Sequence, residues 1–299
     1  MTERRQLALM LAPYLVGLTA LVLAPALVTI VLALTEYDLV RAPEFVGLDN
    51  FRELVDDDVF RTALVNSLVF AAIAVPLRLG AALGLALLLH RRMPGVGAYR
   101  SATVLPTIVP DIAYGLLWLW LLNPIYGPIN TLLGWGGAAN FTWLGYPLPQ
   151  WLTHPNDARA GIIILSLFAI GEGFVILLVT RQGLPAELYD LAALEDVTAW
   201  GLFRRVTLPL MAPILVLLMA RDTIFSLQAT LVPALVVTDG GPPLYSTTYV
   251  PLFVYRNAFE YLRYGYAAAA TVFMLLVTAA LVGFQLWYLR RLRANRRFG

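Results

Sequence analysis

The apolar residues of this chain fall into blocks long enough to cross a bilayer, and that feature decides the solvent it folds in. An uncharged run from about 7 to 34 exceeds the length of roughly 20 residues that a helix needs to span a hydrocarbon core. Further runs occupy about 63–89, 102–122, 161–180, 206–237 and 265–289. Each is bounded by polar residues, Pro or Gly that stop a helix. Of the 299 residues, 60% are hydrophobic and only 13% charged, whereas a soluble domain carries about a quarter charged residues. The expected fold is therefore all-α and integral to a membrane, with about six transmembrane helices. They form a single polytopic domain over 1–299, with core spans at about 63–290 and an extra N-terminal span at about 7–34. That first run is too long for the apolar region of a signal peptide, about 7 to 15 residues, and no small-residue cleavage site follows it.

Six spans put both termini on one side. Counted over alternating loops, thirteen arginines lie on that side, from Arg4 and Arg5 to the Arg290–Arg297 tail, against six on the other. Cytoplasmic loops retain positive charge, so the sequence places both termini, and the loop at about 182–205, in the cytoplasm of a multi-pass protein of the cell inner (plasma) membrane. A formal charge of +2 is too small to imply nucleic acid. The chain has no cysteine, which removes disulfides and thiolate ligands, and His90 and His154 lie far apart without metal-ligand spacing. Trp135, Trp143 and Trp151, on the outward segment 124–158, suit aromatic anchoring at the membrane interface. The acidic run Asp56, Asp57 and Asp58 lacks the second acidic cluster and basic phosphate ligands of a metal-dependent membrane transferase. It reads as the solvated turn of an amphipathic element.

The most informative stretch is the cytoplasmic segment 185–209. Pro185 suits a first helical turn, and Glu187 and Asp190 oppose an N-terminal dipole. Leu188, Leu191, Ala192 and Glu195 recur at helical spacing. Gly201 can break the element before Leu202, Phe203 and the Arg204–Arg205 pair return the chain to the membrane. A short helix with small and apolar residues projecting from the bilayer needs a cover. A groove on a soluble partner and the lipid surface both provide one.

This segment resembles the cytoplasmic EAA loop of ABC importer permeases, whose usual pattern is Glu-Ala-Ala, three positions, Asp-Gly-Ala, then an aromatic and a Leu-Pro ending. Asp190, Leu191, Ala192, Ala193 and Leu194 fall on the first part, Glu195, Asp196 and Val197 on the second, and Trp200, Phe203, Leu208 and Pro209 on the remainder. Asp190 stands for Glu, Leu191 for Ala and Asp196 for Gly. Other stretches are similar to the carbohydrate branch of the family: Gly47, Leu48, Asn50 and Phe51 after the first span, Val104, Leu105 and Pro106 with Trp118 and Asn123–Pro124 in the third, Thr238 to Pro242, Tyr255 to Phe259, and Gly265 to Ala269. The arrangement is closest to the first of two unlike subunits in the maltose and glycerol-3-phosphate permease type.

The resemblance implies a type I importer fold with a cytoplasmic coupling helix that docks on an ATP-hydrolysing subunit. The coupling residues it implies are Glu187, Leu188, Asp190, Leu191, Ala192, Ala193, Glu195, Asp196, Trp200 and Phe203. It also implies the partners: a second, unlike permease, two ATPase subunits that hold ATP and Mg²⁺, and an extracytoplasmic solute-binding protein delivering a sugar or related solute. This chain carries no Gly-x-x-x-x-Gly-Lys-Ser/Thr loop and is expected to bind no cofactor of its own and to be no enzyme.

Charges within spans are costly and face a bundle interior or a water-filled path. Glu172, Arg221, Asp222 and Gln228 are the candidates for a solute path. Arg221 and Asp222 point about 100° apart on a helix, so one can pair while the other faces the path, and Gln228 lies about two turns on from Arg221. Arg78 and Asp111 read more simply as structural pairing, with Asp111 serving backbone donors loosened by Pro110. The competing function is an ion-coupled secondary transporter in which Glu172, Asp111 or Asp222 carries the ion, an arrangement that usually shows internal repeats. None is visible here.

Overall fold

The computed structural model describes residues 3–91, 93–135, 148–194, 197–241 and 244–295. Four helices among them are long and apolar enough to cross a membrane, and the number rises to six when each of two bent helix pairs is taken as one span. The chain forms two compact units, residues 1–61 with 253–277 and residues 62–252 with 278–299.

In the first unit, α1 (Glu3–Leu18) runs through a π turn at Thr19–Leu23 into α2 (Ala24–Leu32). An antiparallel pair of short strands, β1 (Thr35–Glu36) and β2 (Glu44–Phe45), follows, with Thr35 opposite Phe45. The end of a helix leaves carbonyls without partners. Buried Asn50, on α3 (Asp49–Asp56), serves two acceptors just beyond α2, donating from Nδ2 to Ala33 O at 3.0 Å and Thr35 O at 2.9 Å. The last helix, α15 (Tyr264–Asn295), begins against this turn; a Cβ on Gly265 would stand 1.9 Å from the Thr35 carbonyl oxygen.

The acidic run between α3 and α4 (Asp58–Leu89) has a more specific place than a solvated turn. Asp57 Oδ1 accepts from the amides of Val59 (2.7 Å) and Phe60 (3.0 Å), which makes it the N-cap of α4, and its Oδ2 accepts from the Tyr266 hydroxyl at 2.8 Å. Asp56 and Asp58 flank Arg61 at 3.7 and 3.2 Å. This is why α4 starts five residues before the expected span.

In the second unit the expected third span is two helices. From α5 (Val96–Val104) the chain passes through a 3-10 turn at Leu105–Ile108, and α6 (Asp111–Leu121) leaves at 102°. Proline accounts for the break: Pro110 excludes helical geometry at Val109, which is extended at ψ 131°. The expected fourth span is likewise α8 (Pro155–Leu167) and α9 (Gly171–Gln182), bent by 45°. The two breaks meet, for a Cβ on Gly171 would stand 2.9 Å from Val104 Cα and from Thr107 Cγ2.

The expected fifth span at 206–237 is also divided. The chain enters it through α10 (Glu187–Leu194), α11 (Ala199–Leu202) and a π turn at Phe203–Thr207, and the span itself is α12 (Leu208–Gln228) and then a separate α13 (Leu231–Val237). Pro233 has no N–H to return to the Ala229 carbonyl, so the helix cannot continue through that turn. Instead α13 packs on α6, where Val236 lies against Gly115. The short helices α7 (Pro128–Trp135) and α14 (Val250–Tyr255) complete the set.

Two layers of side chains hold this unit. One is Ala82, Ala86 and Leu89 of α4 against Phe174, Leu177 and Leu178 of α9 and Met211 and Leu218 of α12. Lipid tails are as apolar as leucine, so close van der Waals contact, eased by the small alanines, is what favours association. The other centres on Phe70, Trp118, Trp151, Ile162 and Tyr249. Trp151 is thus a core residue, its indole donating to Asn130 Oδ1 at 2.8 Å, and not an interface anchor. Trp135 is 82% exposed, and Trp143 lies outside the described residues. Asn66 and Ser67 of α4 reach far along the chain: Asn66 donates to Tyr245 O and Thr248 O at 2.8 and 3.0 Å, and Ser67 Oγ accepts from Val250 N at 3.0 Å.

Candidate functional site

Where α4, α6, α9 and α12 approach one another they enclose an open cavity of about 310 Å³. Five charged side chains of the second unit line it: Arg78, Asp111, Glu172, Arg221 and Asp222. Two pairs form, one buried, where a charge requires a partner, and one half exposed. Arg78, 6% exposed, donates from Nε to Asp222 Oδ2 at 3.1 Å and also to Ser226 Oγ. Arg221 donates to Glu172 Oε2, with its guanidinium 5.7 Å from the Phe225 ring centroid. Adjacent helix positions diverge by about 100°, which is how Arg221 reaches α9 while Asp222 reaches α4. Both are paired, and both line the cavity.

The break between α5 and α6 positions the fifth charge. Asp111 opens α6 directly behind its N-cap, Pro110. It lines the cavity without an ion pair or hydrogen bond among the described residues. One turn on, the Tyr114 hydroxyl donates to the Leu165 carbonyl at 2.6 Å, just before the α8–α9 break. A smaller chamber of about 90 Å³ adjoins, sharing Arg78, Asp111, Tyr114 and Phe225 and adding Ser166 and Thr230. Thr230 Oγ1 is buried there without a hydrogen-bond partner among the described residues. Carboxylate, hydroxyl and aromatic surfaces so arranged can hold a polar solute. Among the described residues no group of three or more His, Asp or Glu is placed to hold a metal ion.

Of the sequence candidates, the cavity brings together Glu172, Arg221 and Asp222 and adds Arg78 and Asp111. Gln228 lies apart, in a shallow groove of about 420 Å³ with Leu217, Ile224, Val282 and Leu286, a groove that Arg221 also borders. Sequence reasoning assigned Asp111 to the backbone because Pro110 precedes it. The signal for its exposure to the cavity was the second proline, Pro106, which with Pro110 turns the chain before α6.

The segment 185–205 forms α10, α11 and the π turn into α12. Glu187, Leu188, Asp190 and Leu191 are exposed on α10, Leu191 by 60%. Ala192 and Ala193 lie on the same helix, while Glu195 and Asp196 lie outside the described residues. Thr198 Oγ1 caps α11 by accepting from Gly201 N at 3.2 Å. Trp200, 68% exposed, leans on Phe203 with ring centroids 5.4 Å apart.

Between the exposed residues, Tyr189 turns inward. Its ring lies 4.0 Å from the Arg181 guanidinium at the end of α9, and its hydroxyl is 3.1 Å from that of Thr207, buried just before α12. Apolar periodicity gives no sign of this contact. Near the same end of the unit, His90 Nδ1 lies 2.6 Å from Leu87 O, and burial, with Arg181, Arg91 and Arg100 nearby, holds the imidazole below its ordinary pKa.

The family described as binding-protein-dependent transport system inner membrane component matches residues 79–294. The chain belongs to that family. As a binding-protein-dependent inner membrane component it is a multi-pass transmembrane permease of an ABC import system, and not an enzyme. A similar relative is the probable ABC transporter permease protein YesP of Bacillus subtilis, 29% identical over 89% of this chain and 84% of its own. Another is the permease protein SmoG of the sulfoquinovosyl glycerol transport system of Agrobacterium fabrum, 27% identical over 98% and 92%. Among solved structures, a chain of a bacterial alginate ABC transporter, in complex with an alginate pentasaccharide-bound periplasmic protein, superposes with a TM-score of 0.81. It is 21% identical, with 96% of this chain and 94% of that one covered. The inner membrane component fold is thus shared, and α1 to α3 lie outside the family match.

Proposed function

We propose that this permease carries a sugar or sugar-like solute through the cavity lined by Arg78, Asp111, Glu172, Arg221 and Asp222, driven by a separate ATPase that docks on residues 185–205. The observation that carries the reading is the cavity itself: paired charges, an unpaired carboxylate and aromatic faces gathered where two broken helices meet. The relative named for sulfoquinovosyl glycerol transport and the carbohydrate-type motifs in the sequence support the solute class. The exposed α10, with Leu188 and Leu191 bare, supports docking of a soluble partner in a groove.

In this reading the working assembly contains a second, unlike permease, two ATPase subunits and an extracytoplasmic solute-binding protein. ATP and Mg²⁺ sit on the ATPase subunits and this chain binds no cofactor. Both termini are cytoplasmic, as the excess of arginines on their side supports, and the whole chain acts as one permease domain. Solute passes by alternation between outward-facing and inward-facing states.

The test is retention of the ATPase by membranes carrying the chain, comparing the native loop with Leu188→Asp and Ala192→Arg. The expected result is loss of the ATPase in both variants at equal levels of inserted permease. Retention in both would sink the docking assignment.

A further inference from the structure

We infer that the cavity is built for an uncharged polyhydroxylated solute and disfavours anionic ones, with Asp111 as the residue that sets the preference. The inference rests on the permease reading above.

Two guanidinium groups face the cavity against three carboxylates. Arg78 is held by Asp222 and Ser226, and Arg221 by Glu172. Asp111 is left over, without a cation or a hydrogen bond among the described residues. It stands in the first turn of the eleven-residue α6.

A solute bearing a carboxylate, sulfonate or phosphate must find a cation here. Both cations are engaged: releasing Arg78 leaves the largely buried Asp222 carboxylate uncompensated, and Arg221 is already held by the half-exposed Glu172. The unpaired Asp111 adds like-charge repulsion. A hydroxyl-bearing solute has the opposite need. It brings donors, and an ionised carboxylate is an acceptor-only group with two oxygens. Asp111 meets that need without breaking an existing pair. The rings of Tyr114 and Phe225 give C–H surfaces a place to rest, and the unpartnered hydroxyl of Thr230 extends the polar wall into the smaller chamber.

The experiment has two arms, both on the complete assembly in proteoliposomes. In the first, the small molecule retained by the purified solute-binding protein is identified by native mass spectrometry, and its ATP-dependent uptake is measured beside that of maltose, glucose, glycerol, glucuronate and glycerol phosphate. The expected cargo is uncharged at neutral pH. ATP-dependent uptake of a carboxylated, sulfonated or phosphorylated cargo overturns the inference while leaving the permease reading intact. Uptake that needs an ion gradient and no ATPase overturns the permease reading itself. In the second arm, Asp111→Asn, which keeps the shape and removes the charge, lowers uptake at least tenfold, and Asp111→Glu restores part of it. Inserted protein and retained ATPase are measured in each variant. Uptake by Asp111→Asn within twofold of the native chain also overturns the inference.

Discussion

A methyl group at position 171 has no room. Its carbon would lie 2.9 Å from Val104 Cα and from Thr107 Cγ2, and the first of these is backbone that cannot swing aside. Gly171→Ala is therefore expected to push the start of α9 off α5, at about 1–3 kcal/mol, the usual cost of overpacking. The check is the unfolding midpoint of the purified protein in detergent, with Gly134→Ala, which meets nothing within 4 Å, as the control. His90 carries a second expectation. Burial holds its pKa below the ordinary 6.5, so the unfolded chain takes up the proton more readily than the folded one. Its contribution is present above that value and is lost as pH falls below it. The thermal midpoint is expected to drop between about pH 7 and about pH 5, and His90→Gln to flatten the drop. Neither neighbourhood was legible in the sequence, because both depend on residues brought together from separate elements.

At the scale of elements, the sequence showed where apolar segments lie but not where they break. Pro106 and Pro110 sit in plain view inside the third run, yet only the fold sets the 102° angle between α5 and α6. Pro233 was legible as the end of α12 and was passed over, since the hydropathy of the run continues through Val237. In the segment 185–205, α10 was readable from Pro185, Glu187 and the leucine spacing. The inward turn of Tyr189 was not, because an aromatic between Leu188 and Asp190 looks like one more surface residue. Tyr189 ties α10 to the end of α9 and to the start of α12, and the Glu172–Arg221 pair ties the same two helices at the cavity. Under the proposed docking of an ATPase on α10, a displacement of that helix would reach both walls together. Tyr189→Phe keeps the ring and loses the hydroxyl contact with Thr207. It is expected to retain the ATPase on the membrane while lowering solute transported per ATP hydrolysed about threefold to tenfold, in line with the loss of one ordinary hydrogen bond. Thr207→Val is expected to have the same effect, and the double variant no more than either alone. Unchanged stoichiometry in all three would remove Tyr189 from the coupling route.

For the molecule as a whole, composition and span length were enough to read a polytopic membrane protein, and the motifs in order along the chain led to its family and to the permease function. The charge pattern of the cavity was only half legible: Arg221 and Asp222 declared themselves as intramembrane charges, but their partners on α9 and α4 are 49 and 144 residues away in sequence. The longest of the contacts described above sets a timetable. Asn66 and Ser67 meet partners 179 to 183 residues further along, and a chain grows at about 5–20 residues per second. Roughly 10–40 s of synthesis therefore separate these side chains from their acceptors and donor. A membrane segment with an idle amide for that long is held in place by whatever shelters it in the meantime, so a chain stalled between about 70 and 245 is the form of this protein most exposed to quality control.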